Sequence, residues 1–361
     1  SHFKEKKQVQ DYADMLCRSP KTISNLFSLY RLSSPLRVIH ERVDAEAKRL
    51  LLYTGKSAKE ISEIQGCQGG VMAVLGAAQE RAILCIEEFY PVFDSAGAKI
   101  VKAELERTGK GWAASRRKTV AEVPYVHRIA QLTEEDGNFI AAGKLCKHKD
   151  CSDDWSTSGS MEIGRYEPEE GVSSFERVQD GIYKHHAMFI RKNESGYDNL
   201  YYGGSEGAFV TTRKNGIWET RQILDVPVSD IVCYDLDGDG MDEIAIIEGF
   251  HGDKAVIFKQ GAGGYERALE LPLDFGHVLW GGSFLGGPGL ITGSRGGGMQ
   301  LSLYRFNPNR EEENRLSVRS ETVIDKGQAP AQIIVNEWKD SAEIIAANHG
   351  VAQLVRYRCS L

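Results

Sequence analysis

Two periodicities divide the chain. Up to residue 66 the apolar positions recur every three or four residues, and from residue 70 they come in short runs between Gly, Asn or Asp. The first spacing is that of helices and the second that of strands. Tyr12, Ala13, Met15 and Leu16 share one face of a first helix. Ser19-Pro20 then supplies an N-cap and a proline at the first helical position. Ile23, Leu26 and Phe27 continue on one face of a second helix, with Lys21, Thr22, Ser24 and Asn25 turned outward. A long helix is predicted after Ser34-Pro35, with apolar residues at 36, 38, 39, 43, 47, 50, 51 and 52, and a short one from Ala58 to Ile64 behind a Ser57 cap. A short helix, a turn and a polar-faced second helix make a helix-turn-helix pattern.

The strand-like body repeats itself. The segments 123–132, 182–191, 227–236, 274–283 and 329–338 each enter an apolar strand from a turn. Aligned, they superpose His127, His186, Asp230, His277 and Gln332, at spacings of 59, 44, 47 and 55 residues. Counting back from His127 reaches a sixth such strand at residues 70–75. Units contain about four strands; the clearest begins at Asp230, and the last holds only three. Four-stranded units repeated radially describe a β-propeller. The expected fold is therefore mainly β: a six-bladed β-propeller over 68–361, last blade three-stranded, with a small all-α helix-turn-helix segment over 1–66. A β-sandwich is the competing architecture. A strand supplied by the N-terminus would normally complete the last blade, and the helical head offers none before residue 68.

Composition sharpens this division. Gly is frequent, 38 of 361 residues, while Pro numbers 10, which suits many tight turns between strands. The net charge of -7 conceals a head of +4 over residues 1–66 and a body of -11. An acidic body is a poor grip for nucleic acid, so any DNA contact is assigned to the head. No run approaches the ~18 apolar residues of a membrane span, and no charged-then-apolar leader is visible. Seven scattered cysteines point to a reducing compartment, and a cytoplasmic location is expected.

The head stretches DYADMLCRSPKTISNLF, SPLRVIHERVDAEAKRLLLYT and SAKEISEI resemble the DNA-binding domain of AraC-type transcription regulators. The resemblance implies DNA contacts from Lys21, Thr22, Ser24 and Asn25. It stops where the family's second recognition helix would begin, since the chain turns there to Gln65-Gly66-Cys67-Gln68-Gly69-Gly70.

The most specific short motif is Asp235-Leu-Asp237-Gly-Asp239-Gly-Met241-Asp-Glu243. Oxygen ligands at positions 1, 3, 5, 7 and 9 of a glycine-bent loop suit a hard cation, with Met241 offering its carbonyl. The loop resembles the calcium loops of FG-GAP-type and VCBS-type propellers, which implies a structural Ca²⁺ on the face opposite the His mouth.

His127, His186, His277 and Gln332 should meet at the centre of the ring. Three imidazoles and an amide oxygen suit Mn²⁺, Zn²⁺ or Fe²⁺, and His185 could replace His186 if the register slips by one. The set resembles the metal site of oligogalacturonate-lyase-type propellers. Glycine-bearing turns after second strands place Glu206, His251, Arg295 and His349 on the same mouth. The expected catalytic residues are His186, His251, Arg295 and His349, with Arg295 holding an acidic group and a neutral His taking a proton. Cys146-Lys-His148-Lys-Asp150-Cys151 reads as a charged loop rather than a zinc site. Asp153-Asp154-Trp155 with Tyr166 could stack on a sugar.

Together these features predict a metal-dependent enzyme acting on a carbohydrate or other small acidic ligand, by β-elimination or isomerisation of an acidic or oxidised sugar. Two alternatives are a non-catalytic carbohydrate- or protein-binding propeller and a ligand-sensing transcription regulator.

Overall fold

The computed structural model describes residues 9–30, 35, 73–75, 82–89, 92–108, 111–151, 153–307, 315–351 and 353–360. The chain divides into two compact units, residues 1–69 with 106–114, and residues 70–105 with 115–361. In the first, α1 (Val9–Met15) and α2 (Pro20–Leu29) follow one another. The Ser19 hydroxyl accepts the Thr22 N–H at 3.1 Å, capping α2, and Pro20 opens the helix at a position where its missing N–H has no partner to lose. Ala13 and Ile23 are buried, whereas Lys21, Thr22, Ser24 and Asn25 are all exposed. The helices predicted beyond Pro35 and from Ala58 to Ile64 lie outside the described residues.

Apart from the ends of β3 and β4 that fall within residues 106–114, the second unit is a six-bladed β-propeller. Blade 1 is β1 (Ala73–Leu75), β2 (Ala82–Glu87), β3 (Lys99–Thr108) and β4 (Gly111–Glu122). Blade 2 is β5 (Val126–Glu134), β6 (Gly137–Lys144) and β7 (Gly159–Glu167), with both β8 (Gly171–Val172) and β9 (Glu176–Ile182) paired to β7. Blade 3 is β10 (Ala187–Lys192), β11 (Asp198–Gly204), β12 (Gly207–Lys214) and β13 (Ile217–Leu224). Blade 4 is β14 (Val228–Tyr234), β15 (Glu243–Glu248), β16 (Lys254–Gly261) and β17 (Gly264–Pro272). Blade 5 is β18 (Gly276–Phe284), β19 (Gly287–Ser294), β20 (Leu301–Phe306) and β21 (Val318–Asp325). Blade 6 holds three strands, β22 (Pro330–Trp338), β23 (Ser341–Asn348) and β24 (Gln353–Ser360).

The apolar runs follow from stacking. Inner strands lie between two neighbouring sheets, so both their faces are covered. Ile231, Ile244 and Val256 of blade 4 pack with Tyr201 and Val210 of blade 3, while Val232, Ile247 and Ile257 pack with Leu279, Leu290 and Tyr304 of blade 5. Ile246 is wholly buried, and cutting such a side chain to Ala costs about 2–5 kcal/mol. The last blade differs: on its inner strand Ile334 is 46% and Trp338 56% exposed.

A backbone irregularity shapes the mouth. The register of the first strand shifts between Val126 and Arg128, Val228 and Asp230, Gly276 and Val278, and Pro330 and Gln332. Each shift leaves one residue outside the ladder, a β-bulge that re-aims its neighbours. The skipped residues are His127, Ser229, His277 and Ala331. In blade 3 Ala187 pairs with Gly203, which puts His186 at the same level.

Among the described residues six cysteines are free, and no helix is long and apolar enough to cross a membrane.

Candidate functional site

Four histidines gather on one end of the shaft. His127, His186 and His277 come from the bulge level of blades 2, 3 and 5, and His251 from the turn between β15 and β16. His186 lies 4.8 Å from His127, 5.1 Å from His251 and 5.1 Å from His277, measured between ring centroids. His251 stacks on His277 at 4.9 Å. The ligand nitrogens of His186, His251 and His277 all lie within 4.8 Å of one another.

Backbone carbonyls orient two of these rings. His186 Nδ1 lies 2.7 Å from the Ser229 carbonyl, and His277 Nδ1 lies 2.9 Å from the Ala331 carbonyl. Ser229 and Ala331 are themselves bulge residues of the following blades. A carbonyl only accepts, so each Nδ1 carries the proton and each Nε2 keeps its lone pair. Arg128 Nη2 sits 3.4 Å from the same His186 nitrogen, a longer contact than the bond to Ser229. Arg128 Nε instead donates to the His186 carbonyl at 2.8 Å. His251 is held at φ 52, in a turn closed by the Gly252 N–H donating to Gly249. A Cβ at Gly252 would collide with the Glu248 carbonyl, so the turn that presents His251 requires glycine. Two further nitrogens, His127 Nδ1 and His251 Nε2, are buried without a hydrogen-bond partner.

All four imidazoles are kept neutral. Burial lowers His127, His186 and His277 well below the usual histidine value, and neighbouring charges such as Arg128 and Arg295 lower them further. Burial, with help from Arg295, brings His251 down to about 4. Neutral rings with fixed tautomers and converging lone pairs are what a borderline-soft divalent cation requires. His186, His251 and His277 therefore have the donors to hold the metal that the lyase resemblance implies, whereas His127, expected as a ligand, lies outside the group of three whose nitrogens converge.

The surroundings are aromatic and cationic. Phe89 packs on His127 at 5.0 Å, Phe250 lies 5.9 Å from His186, and Phe275 stacks on His251 at 4.6 Å. Trp155 meets Phe250 edge-on at 5.2 Å. Lys184 lies over the rings of Trp155 and Phe250, at 5.5 and 5.3 Å. Arg295 lies 5.7 Å over Phe275, and its charge lowers His349 after burial has done so. Arg295 and His349 thus lie on one rim, close to His251.

Below the imidazoles the shaft opens into a cavity of about 170 Å³ lined by Arg128, Asp230, His277 and Gln332 among others. Asp230 accepts the N–H groups of Leu279 and Ile231, at 2.8 and 3.1 Å, and burial pushes it up to about 6. Gln332 is thus one residue past the bulge and lines the shaft, whereas the predicted ligand set had it beside the imidazoles. His251, expected to act on substrate, joins His186 and His277 instead. His185 points away: it is fully buried, its ring 5.7 Å from Tyr202 and its Nδ1 3.2 Å from the Ser160 carbonyl. Glu206 accepts the Tyr183 N–H, from the connection between β9 and β10, at 2.8 Å.

The Cys146–Cys151 loop is held by hydrogen bonds. Thr157 Oγ1 accepts the N–H groups of Lys147 and His148, and His148 Nε2 meets Asp150 at 2.8 Å. Its buried Lys149 lies 3.4 Å over Trp155 and fixes that ring. Tyr166 is buried in the core between blades 1 and 2, a core against which Trp155 also packs, so Tyr166 does not face solvent as a stacking surface.

The Asp loop lies at the other end of blade 4, between β14 and β15. The Asp235 carboxylate accepts the N–H groups of Gly238, Asp239 and Gly240, and Gly238 and Gly240 both adopt positive φ, 78° and 91°. Met241 donates its N–H to Asp239 at 2.8 Å. Lys259 of β16 reaches into the loop, with Nζ 2.6 Å from Asp237, 2.8 Å from Asp239 and 3.1 Å from Glu243. Burial pushes Glu243 up to about 7. Burial opposes the charge on Lys259, but its bonds to Asp237 and Asp239 outweigh it and hold the ammonium above its ordinary value.

Sequence reasoning overlooked Lys259, Arg128, Lys184 and Phe250. For Lys259 a signal existed: it is a lysine inside the otherwise apolar third strand of the blade that carries the Asp loop.

No protein-family model matches the sequence, and a search of curated proteins finds no match. Among solved structures, a protein from Bacteroides uniformis provisionally named a 6-phosphogluconolactonase is 9% identical, with a TM-score of 0.47 over 80% of this chain and 85% of that one. A protein of unknown function from Dyadobacter fermentans is 13% identical, with a TM-score of 0.47 over 77% and 90%. A protein from Lactobacillus plantarum is 10% identical, with a TM-score of 0.43 over 79% and 82%.

Proposed function

We propose that the mouth holds a divalent transition metal ion on His186, His251 and His277, with His127 beside them, and that the protein acts there on an acidic or oxidised sugar. The observation that carries this reading is the convergence of three neutral imidazoles within 4.8 Å, two of them locked with Nε2 free by bulge carbonyls. An ion at this point would polarise a carboxylate or carbonyl and acidify the neighbouring C–H. The chain supplies the rest. Arg295 and Lys184 favour an anionic group, Arg295 through a fork of donors. Trp155, Phe250 and Phe275 offer apolar faces to a sugar ring. His349, whose pKa is lowered by burial and by Arg295, is neutral near pH 7 and suited to take the proton. Elimination or isomerisation is the chemistry this set supports.

Elemental analysis of the purified protein, followed by incubation with uronate oligosaccharides and a watch for unsaturated product in the ultraviolet, tests the reading. A stoichiometric transition metal and product formation lost in His349→Ala are expected. Failure of Mn²⁺, Zn²⁺ and Fe²⁺ alike to bind would overturn it.

A further inference from the structure

The calcium that the Asp235–Glu243 loop implies does not fit this chain. We infer that the Lys259 ammonium is the resident cation of that loop, so that the native protein takes no calcium there, and that removing the ammonium opens a hard-cation site. A calcium ion in such a loop stands about 2.3–2.6 Å from its oxygens. Lys259 Nζ lies against three of the loop's expected ligands, 2.6, 2.8 and 3.1 Å from Asp237, Asp239 and Glu243, where an ion bridging those carboxylates would have to stand. An ammonium and a calcium ion cannot share that place.

Three features make the arrangement built-in. The Asp237 side chain is 0% exposed and that of Glu243 1% exposed, so both acids need a partner inside the protein. The ladder supplies it: Ile244 pairs with Phe258, which carries the next residue, Lys259, to Glu243. The remaining oxygens are already engaged. Asp235 accepts three backbone N–H groups, the second oxygen of Asp239 accepts from Met241, and that of Glu243 accepts the Leu236 N–H at 2.8 Å. The lysine adds one positive charge with three donors, and each donor meets a carboxylate.

The test compares the full-length protein with Lys259→Met, which keeps the length of the side chain and removes its charge. Calorimetric titration and thermal melts are run with calcium chloride and with chelator. The native protein is expected to give no calcium heat and the same melting temperature in both. Lys259→Met is expected to melt lower in chelator and to recover at least half of that shift in millimolar calcium. Calcium binding by the native protein would overturn the inference. So would a folded Lys259→Met that ignores calcium. Should that variant not fold, amine acetylation of the native protein decides: Lys259 is expected to resist while exposed lysines react, and its prompt modification would refute a buried ion-paired ammonium.

Discussion

One strand joins two opposite treatments of charge. β15 runs from Glu243 at the acidic loop to the turn bearing His251, a separation of about 20–25 Å at ~3.3 Å per residue. At its first end several carboxylates are buried with their own cation, Lys259. At its second end imidazoles are buried with no counter-charge, and they respond by staying neutral. Both satisfy the rule that a buried charge is paired or absent. The difference lies in what is left over. In the acidic loop three of the carboxylates already hold the Lys259 ammonium, while the ligand nitrogens of three neutral imidazoles lie within 4.8 Å of one another. A closed cluster stabilises a fold, and an open one can bind.

The largest effect should separate the two ends by stability. Asp237→Asn strips a partner from a buried ammonium, and breaking such a pair costs about 3–5 kcal/mol. His277→Ala in chelator removes a ring stacked on His251 and leaves the Ala331 carbonyl without its partner, a cost of about 1–3 kcal/mol. Urea unfolding of both variants measures the gap. Equal losses would mean that the imidazole cluster, too, is structural.

Added metal should reverse the ranking. At a hundred times its dissociation constant a ligand stabilises the folded state by about 2.7 kcal/mol. Melts in zinc or manganese should show this gain in the native protein and in Asp237→Asn, and not in His277→Ala. A gain that Asp237→Asn loses would place the ion in the acidic loop.

The halves of the molecule were unequally legible from sequence. Blade count, the three-stranded last blade and the Ser19-Pro20 cap follow from patterns that leave direct marks on residue order. The level of each shaft residue does not. It depends on a one-residue bulge, set by backbone geometry at Tyr125, Phe275 and Ala329, which adopt φ of 59, 53 and 51°. An alignment by residue type therefore equated Asp230 and Gln332 with His277, one step out of place. Lys259 escaped for a related reason: the lysine after an apolar run is visible in the sequence, but only strand register shows that it, and not Lys254 of the same strand, reaches the Asp loop.

A carboxyl without a lysine should show what Lys259 prevents. Glu134, at the end of β5, is 8% exposed with Oε1 unpaired. Burial, reinforced by Asp198, pushes it from 4.5 to about 7. A folded-state value above the unfolded one means that its favourable contribution is complete below pH 4.5 and is lost as pH rises through 7. Glu134→Gln should therefore stabilise the protein at pH 8, on the order of 1–3 kcal/mol, and change little at pH 4. Denaturation midpoints at the two pH values measure this, and a pH-independent effect of the substitution would show that Glu134 ionises freely.

The smallest expected effect is the sharpest about the site itself. Gln332 and His251 compete for the place of last ligand. Gln332 lines the shaft cavity with Arg128 and Asp230, and His251 stacks on His277 with Nε2 unpartnered. Gln332→Ala should change metal affinity by less than about threefold, because the bulge holds its side chain below the imidazole level. His251→Ala should weaken affinity at least tenfold and nearer a hundredfold, as for removing a directly liganding or orienting group. Competition against a chromophoric chelator reads both. If the order is reversed, the metal sits deeper in the shaft than His251 can reach, and the open cluster is the one formed by His277, Asp230 and Gln332.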